Sequence, residues 1–238
     1  MAIKSKTGVK TRSSGMLLPM RVWDLATRLF HWTLLLAIVV AYASISLAVG
    51  QYAGLLMRVH VICGETVLGL LLFRILWGLF GSDTARFSQF LHSPIAALRH
   101  VAHFRQREPD LQVGHNAAGG WMVLVMLLLI AAQVGTGLFA NDDGNTTGPL
   151  AQFVTKPLSD QLSKLHSINF NILAAAVALH VLAVLLYAFI KGQNLVRPMI
   201  TGKKRLPAAT RAPRMANPWL AAVTMTVAAG VTVLIARL

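Results

Sequence analysis

Five apolar runs, each close to the length of a bilayer span, dominate this chain and leave it few folds. They cover residues 29–49, 59–80, 121–140, 166–190 and 219–236. Each is near the ~20 residues that a helix needs to cross a hydrocarbon core of about 30 Å. In lipid every backbone polar group must be satisfied within its own segment, so such runs become helices. Soluble domains carry about 25% charged residues. Here the charged share is 13% and the hydrophobic share 55%, which places the chain in the membrane class. The expected fold is an all-α integral membrane protein.

The first run follows a basic stretch and contains Ala41-Tyr42-Ala43, a pattern that a cleavable signal peptide also shows. The run is long for a signal peptide, and cleavage there would discard His31. It is therefore read as a span.

Charge distribution orients the bundle. Six basic residues precede the first run, four lie between the second and third, and seven between the fourth and fifth. The opposite side carries only Arg58, Lys156, Lys164 and Arg237, beside Asp142, Asp143 and Asp160. An excess of Lys and Arg marks the cytoplasmic side, so the expectation is a bacterial inner-membrane protein with a cytoplasmic N-terminus and a periplasmic C-terminus. The net charge of +14 is then topological, with some affinity for anionic lipid, and nucleic acid is not an expected partner. Residues 94–107 alternate apolar and basic side chains at helical spacing, which predicts a short amphipathic helix on the cytoplasmic face or an ordinary connector. Residues 1–20 and 203–217 are expected to be flexible.

Four histidines lie inside these runs. His31 opens the first, His60 opens the second, and His166 and His180 both lie in the fourth, fourteen residues apart. An ionisable side chain in hydrocarbon is costly and faces the protein interior, so each is a candidate functional residue. Alternating span directions match His31 with His180 in depth, and His60 with His166. Fourteen residues rise about 21 Å and leave the two side chains within about 40° of one helix face. One helix can thus present a ligand to each of two stacked sites. Neutral imidazole suits iron, and a bundle core suits a haem. Hydrogen-bonded packing or a proton relay accounts equally for any one of these histidines.

Cys63 is the only cysteine, so no CxxCH attachment motif exists and any haem is non-covalent. Arg74 lies fourteen residues after His60, on the same helical face, where it would either pair with a haem propionate or snorkel to the interface. Glu65, the one acidic residue within a run, is read as hydrogen-bonded inside the bundle. The segment Gly114-His115-Asn116-Ala117-Ala118-Gly119-Gly120 opens the third run as a turn and helix start. His92, His100 and His103 fall at the wrong depth for ligands.

The chain resembles the bacterial cytochrome b561 family, which includes the b-type cytochrome subunits of nickel–iron hydrogenases. The resemblance covers roughly residues 21–205. It rests on Arg21-Val22-Trp23-Asp24 with Arg28-Leu29-Phe30-His31-Trp32, on His60 with Leu72-Phe73-Arg74-Ile75-Leu76-Trp77-Gly78, on the Gly114–Gly120 segment, and on His166 with His180. It implies a four-helix transmembrane bundle holding two haem b groups. Their ligands come from the first, second and fourth helices: His31, His60, His166 and His180. It also implies electron transfer between the quinone pool, ubiquinone or another quinone, and a partner redox protein or small acceptor such as an oxygen species. A periplasmic c-type cytochrome and a dehydrogenase or hydrogenase subunit are the partners it suggests. It further implies that His115 helps to bind a propionate or a quinone.

The corresponding division is a flexible N-terminus (1–20), a di-haem domain (21–202), a basic cytoplasmic linker (203–217) and an additional helix (218–238). The fifth run exceeds the four-helix pattern. Ser167-Ile168-Asn169 follows His166, where relatives often carry an acid directly after that histidine. A membrane anchor subunit for a hydrogenase or other dehydrogenase is the alternative function. A non-redox metal or proton transporter is disfavoured by the absence of internal repeats.

Overall fold

The computed structural model describes residues 16–102, 110–144 and 146–238. Residues 1–15 and His103, with the end of the expected 94–107 helix, lie outside the described residues. Two strands and eight α-helices follow in the order β1 (Leu17–Arg21), α1 (Leu25–Ser46), α2 (Ala53–Phe80), α3 (Phe87–Phe90), α4 (Pro94–Ala102), α5 (Ala117–Gly137), α6 (Lys156–Phe189), α7 (Val196–Thr201), β2 (Lys203–Pro207) and α8 (Pro218–Ala236). Helices α1, α2, α5, α6 and α8 are long and apolar enough to span a membrane, as the five runs predict.

Three of the spans, α1, α5 and α8, start where a polar side chain satisfies one of their first N–H groups. Asp24 caps α1 by accepting from Thr27 N at 2.6 Å. Its other oxygen accepts from Trp77 Nε1 at 3.2 Å, which ties the start of α1 to the end of α2. Asn116 caps α5 through Gly119 N at 2.7 Å, and Asn217 accepts from Trp219 N before Pro218 opens α8. Helix α6 starts ten residues before the apolar run does, at Lys156, and its 34 residues extend past the hydrocarbon thickness. Hydropathy reports only the part of a helix that lies in lipid.

Helix α1 packs on α2, α5 on α6, and both α5 and α8 on α2. The shared core includes Phe30, Leu70, Phe73, Trp77, Leu127, Ile130 and Leu173. Lipid tails are as apolar as these side chains, so close packing rather than escape from water holds the spans together. The α2–α8 seam shows this. Thr224, Ala228 and Thr232 recur at four-residue intervals on α8, and Gly69 of α2 lies so close that an added Cβ would meet Thr232 Oγ1 at 3.2 Å.

One expectation is corrected. Part of the N-terminal segment and part of the 203–217 linker are ordered as an antiparallel ribbon, with Leu17 opposite Pro207 and Arg21 opposite Lys203. Gly202, at φ 76°, ends α7 and turns the chain into β2, and its carbonyl accepts from Val22 N at 2.8 Å. Leu206 is fully buried against Val22 and Trp23. A strand that buries one side chain in five looks like a basic loop in sequence. The ribbon marks one end of the bundle, here the ribbon end. The loops joining α1 to α2 and α5 to α6 form the far end.

Candidate functional site

His60 on α2 and His166 on α6 meet near the far end, with ring centroids 6.1 Å apart and planes at 78°. His60 Nδ1 lies 3.0 Å from Ala41 O of α1, and His166 Nδ1 lies 2.9 Å from Gln133 O of α5. A backbone carbonyl only accepts, so both Nδ1 atoms carry the ring hydrogen and both Nε2 atoms keep a lone pair. A carbonyl that holds Nδ1–H and leaves the Nε2 lone pair as the acceptor is the pattern of a metal-ligating histidine, although at His166 that lone pair also meets the Gln133 amide. Two imidazoles bound to one metal through bonds of about 2 Å place their centroids roughly 6 Å apart. The His60–His166 centroid separation of 6.1 Å matches that spacing.

His166 has further partners that the sequence reading did not single out. The Gln133 amide donates to His166 Nε2 at 3.0 Å, and Asn169 Nδ2 donates to Gln133 Oε1 at 2.7 Å. Gln133 was legible as an amide within a 21-residue apolar helix, where a polar side chain needs a partner. Gly137, one turn on, lets the imidazole lie against the α5 backbone.

His31 on α1 and His180 on α6 lie nearer the ribbon end. His31 Nδ1 is buried with no hydrogen-bond partner, and the ring meets Trp32 edge-on at 4.9 Å. Buried polar nitrogens are rarely left unpaired, so an orphan here is consistent with a site built for a further ligand. No group of three or more His, Cys, Asp or Glu gathers as a metal site among the described residues.

Arg74 and His115 both pack against Phe90. Arg74 is 3% exposed, donates to Ala85 O at 3.1 Å, and stacks over Phe87 at 5.0 Å and Phe90 at 5.8 Å. It has no ion-pair partner within salt-bridge distance among the described residues. His115 lies between Trp23 and Phe90, with centroids 4.7 and 4.8 Å away, and its Nδ1 is buried and unpartnered. Burial, the Arg74 cation and His180 push its pKa down to about 3, so the ring is neutral at physiological pH.

A cleft of about 380 Å³ opens beside His115, lined by Gln89, His92, His100 and Gln112 among others. His92 Nδ1 lies 2.8 Å from Phe90 O. His100 Nε2 contacts Tyr187 Oη at 2.6 Å, and Asn116 Nδ2 donates to the same oxygen at 2.9 Å. Helix α4 forms the outer wall of this cleft. Ile95, Leu98 and Val101 are exposed on its other face, an amphipathic pattern as the sequence predicts.

A family model described as prokaryotic cytochrome b561 matches residues 22–202 of the chain. No curated protein and no solved structure matches it closely enough for comparison. The match runs from just after β1 to the end of α7, and α8 lies beyond it.

Proposed function

This chain belongs to the prokaryotic cytochrome b561 family, and from that premise we propose that it is a di-haem relay carrying electrons from quinol to an acceptor at the far end. It is a membrane b-type cytochrome of electron transfer. Haem supplies a one-electron iron couple when bound.

His60 and His166 hold one haem, and His31 and His180 the other. The observation that carries this reading is the 6.1 Å separation of the His60 and His166 rings, with both Nδ1 atoms fixed by carbonyls. Arg74 holds a propionate of the haem nearer the ribbon: a buried guanidinium without a carboxylate contact is stabilised by an anion brought to it. His115, neutral and boxed by aromatic rings, sets one edge of that site. The core around Leu70, Leu127, Ile130 and Leu173 excludes water between the two levels.

The cleft beside His115 receives the quinol head. Its lining of histidine and glutamine side chains offers both donors and acceptors to the ring oxygens. The ribbon end faces the cytoplasm, in line with its excess of basic residues, and the far end faces the periplasm.

The test is reduction of the purified chain in liposomes by a short-chain quinol, followed by haem absorbance. The reading predicts reduction in the wild type and its loss in His180→Ala. Full haem occupancy with no reduction by any quinol would overturn the quinol assignment.

A further inference from the structure

The two histidine pairs differ in what already holds them. Asn169, three residues after His166 on α6, donates to Leu129 O at 3.0 Å and to Gln133 Oε1 at 2.7 Å. That contact fixes the carbonyl end of the Gln133 side chain and aims its amide NH2 at His166 Nε2, 3.0 Å away. The His166 Nδ1 hydrogen is committed to Gln133 O. Gln133 therefore brackets the imidazole, holding one nitrogen with its backbone and the other with its side chain. Neither the His31 nor the His180 ring makes a side-chain hydrogen bond among the described residues, and His31 Nδ1 is an orphan.

We propose that Gln133, clamped by Asn169, is an internal competitor for the ligand nitrogen of His166, so that the far-end haem is the exchangeable one of the two. This rests on the reading of His60 and His166 as haem ligands. A lone pair buried in a membrane helix bundle is costly to leave unsatisfied. The Gln133 amide satisfies it while haem is absent. Binding exchanges one interaction for another: the N–H···N hydrogen bond breaks and an iron–nitrogen bond forms. Nδ1 keeps its hydrogen and the amide keeps both of its own, so no proton is released. Because the hydrogen bond stabilises only the haem-free state, it weakens haem affinity at this site.

The sign of the effect separates this role from ordinary packing. Gln133→Leu keeps the side-chain size but cannot donate, so it raises haem affinity at the far-end site. A packing residue lost from the same place would lower it. The measurement is the equilibrium partition of haem between the full-length chain and apomyoglobin, read by absorbance, with His166→Ala identifying which haem belongs to the far end. The expected result is about fivefold tighter retention of that haem in Gln133→Leu, the equivalent of one hydrogen bond, with the other haem unchanged. Asn169→Ala frees the amide to swing away and shifts the partition in the same direction, which keeps the test open if Gln133→Leu fails to fold. Unchanged or weaker retention in the folded variants overturns the proposal. A His166→Ala chain that still carries two haems overturns instead the ligand reading beneath it.

Discussion

Gly137 leaves no room for a methyl group beside His166: a Cβ built on it would lie 2.9 Å from Cε1 and 3.1 Å from Nδ1 of the imidazole. The glycine makes room for the histidine: the three nearest atoms that Cβ would meet all belong to the His166 ring. Gly137→Ala should improve the intrinsic helix propensity of α5 by about 1 kcal/mol and still lower the haem content. The variant is expected to fold with its haem-to-chain ratio reduced toward one, measured by the pyridine haemochrome assay. Two retained haems with an unshifted spectrum would show that the contact is unimportant.

Asp24 does two jobs, capping α1 and accepting from Trp77 Nε1 of α2. Asp24→Ala loses the cap, at roughly 1 kcal/mol, and leaves a buried indole N–H without its partner, at roughly 1–3 kcal/mol more. Asp24→Asn keeps a cap-competent oxygen and should cost less. Thermal unfolding in detergent, followed by circular dichroism, checks the order: wild type, then Asp24→Asn, then Asp24→Ala. Equal midpoints in all three would dismiss the link between α1 and α2.

The α2–α8 seam tolerates little bulk. Gly69→Ala brings its Cβ to 3.2 Å from Thr232 Oγ1, a contact relieved by a shift of a few tenths of an ångström, and should be close to neutral. Gly69→Leu has no such escape and should cost roughly 1–3 kcal/mol as an overpacked contact. Haem content should survive, because α8 supplies none of the histidines. Loss of both haems in Gly69→Leu, in protein that remains helical, would instead make α8 part of the haem-binding architecture.

His115 gives acid stability a sign. Its folded pKa is about 3 and its ordinary value 6.5, so between these values the unfolded chain binds the extra proton. Stability from this group is complete above about pH 6.5 and falls as pH drops toward 3, by at most ~1.4 kcal/mol per unit. Wild-type protein taken from pH 7 to pH 5 should lose roughly 1–2 kcal/mol through His115. His115→Phe, which keeps the aromatic box filled, should lose less over the same interval. An identical acid slope in both proteins would mean that His115 is already solvated in the native state.

The spans, their order and the meeting of His60 with His166 were legible because hydropathy and helical rise are both linear in sequence. So was the apolar face of α4. The ribbon was not, since Leu206 is buried by Val22 and Trp23, residues some 180 positions away. Nor was the early start of α6, whose first turns are polar. The Gln133–His166–Asn169 network escaped for a related reason: Gln133 and His166 lie on different helices, and only the packing of α5 on α6 brings them together.

The most direct measurement of the central claim is haem b per polypeptide in the purified full-length chain, for the wild type and for His60→Ala, His166→Ala and His31→Ala. The account predicts two haems in the wild type and one in each variant, with His60→Ala and His166→Ala losing the same spectral component and His31→Ala the other. One haem in the wild type, or different components lost from His60→Ala and His166→Ala, would contradict it.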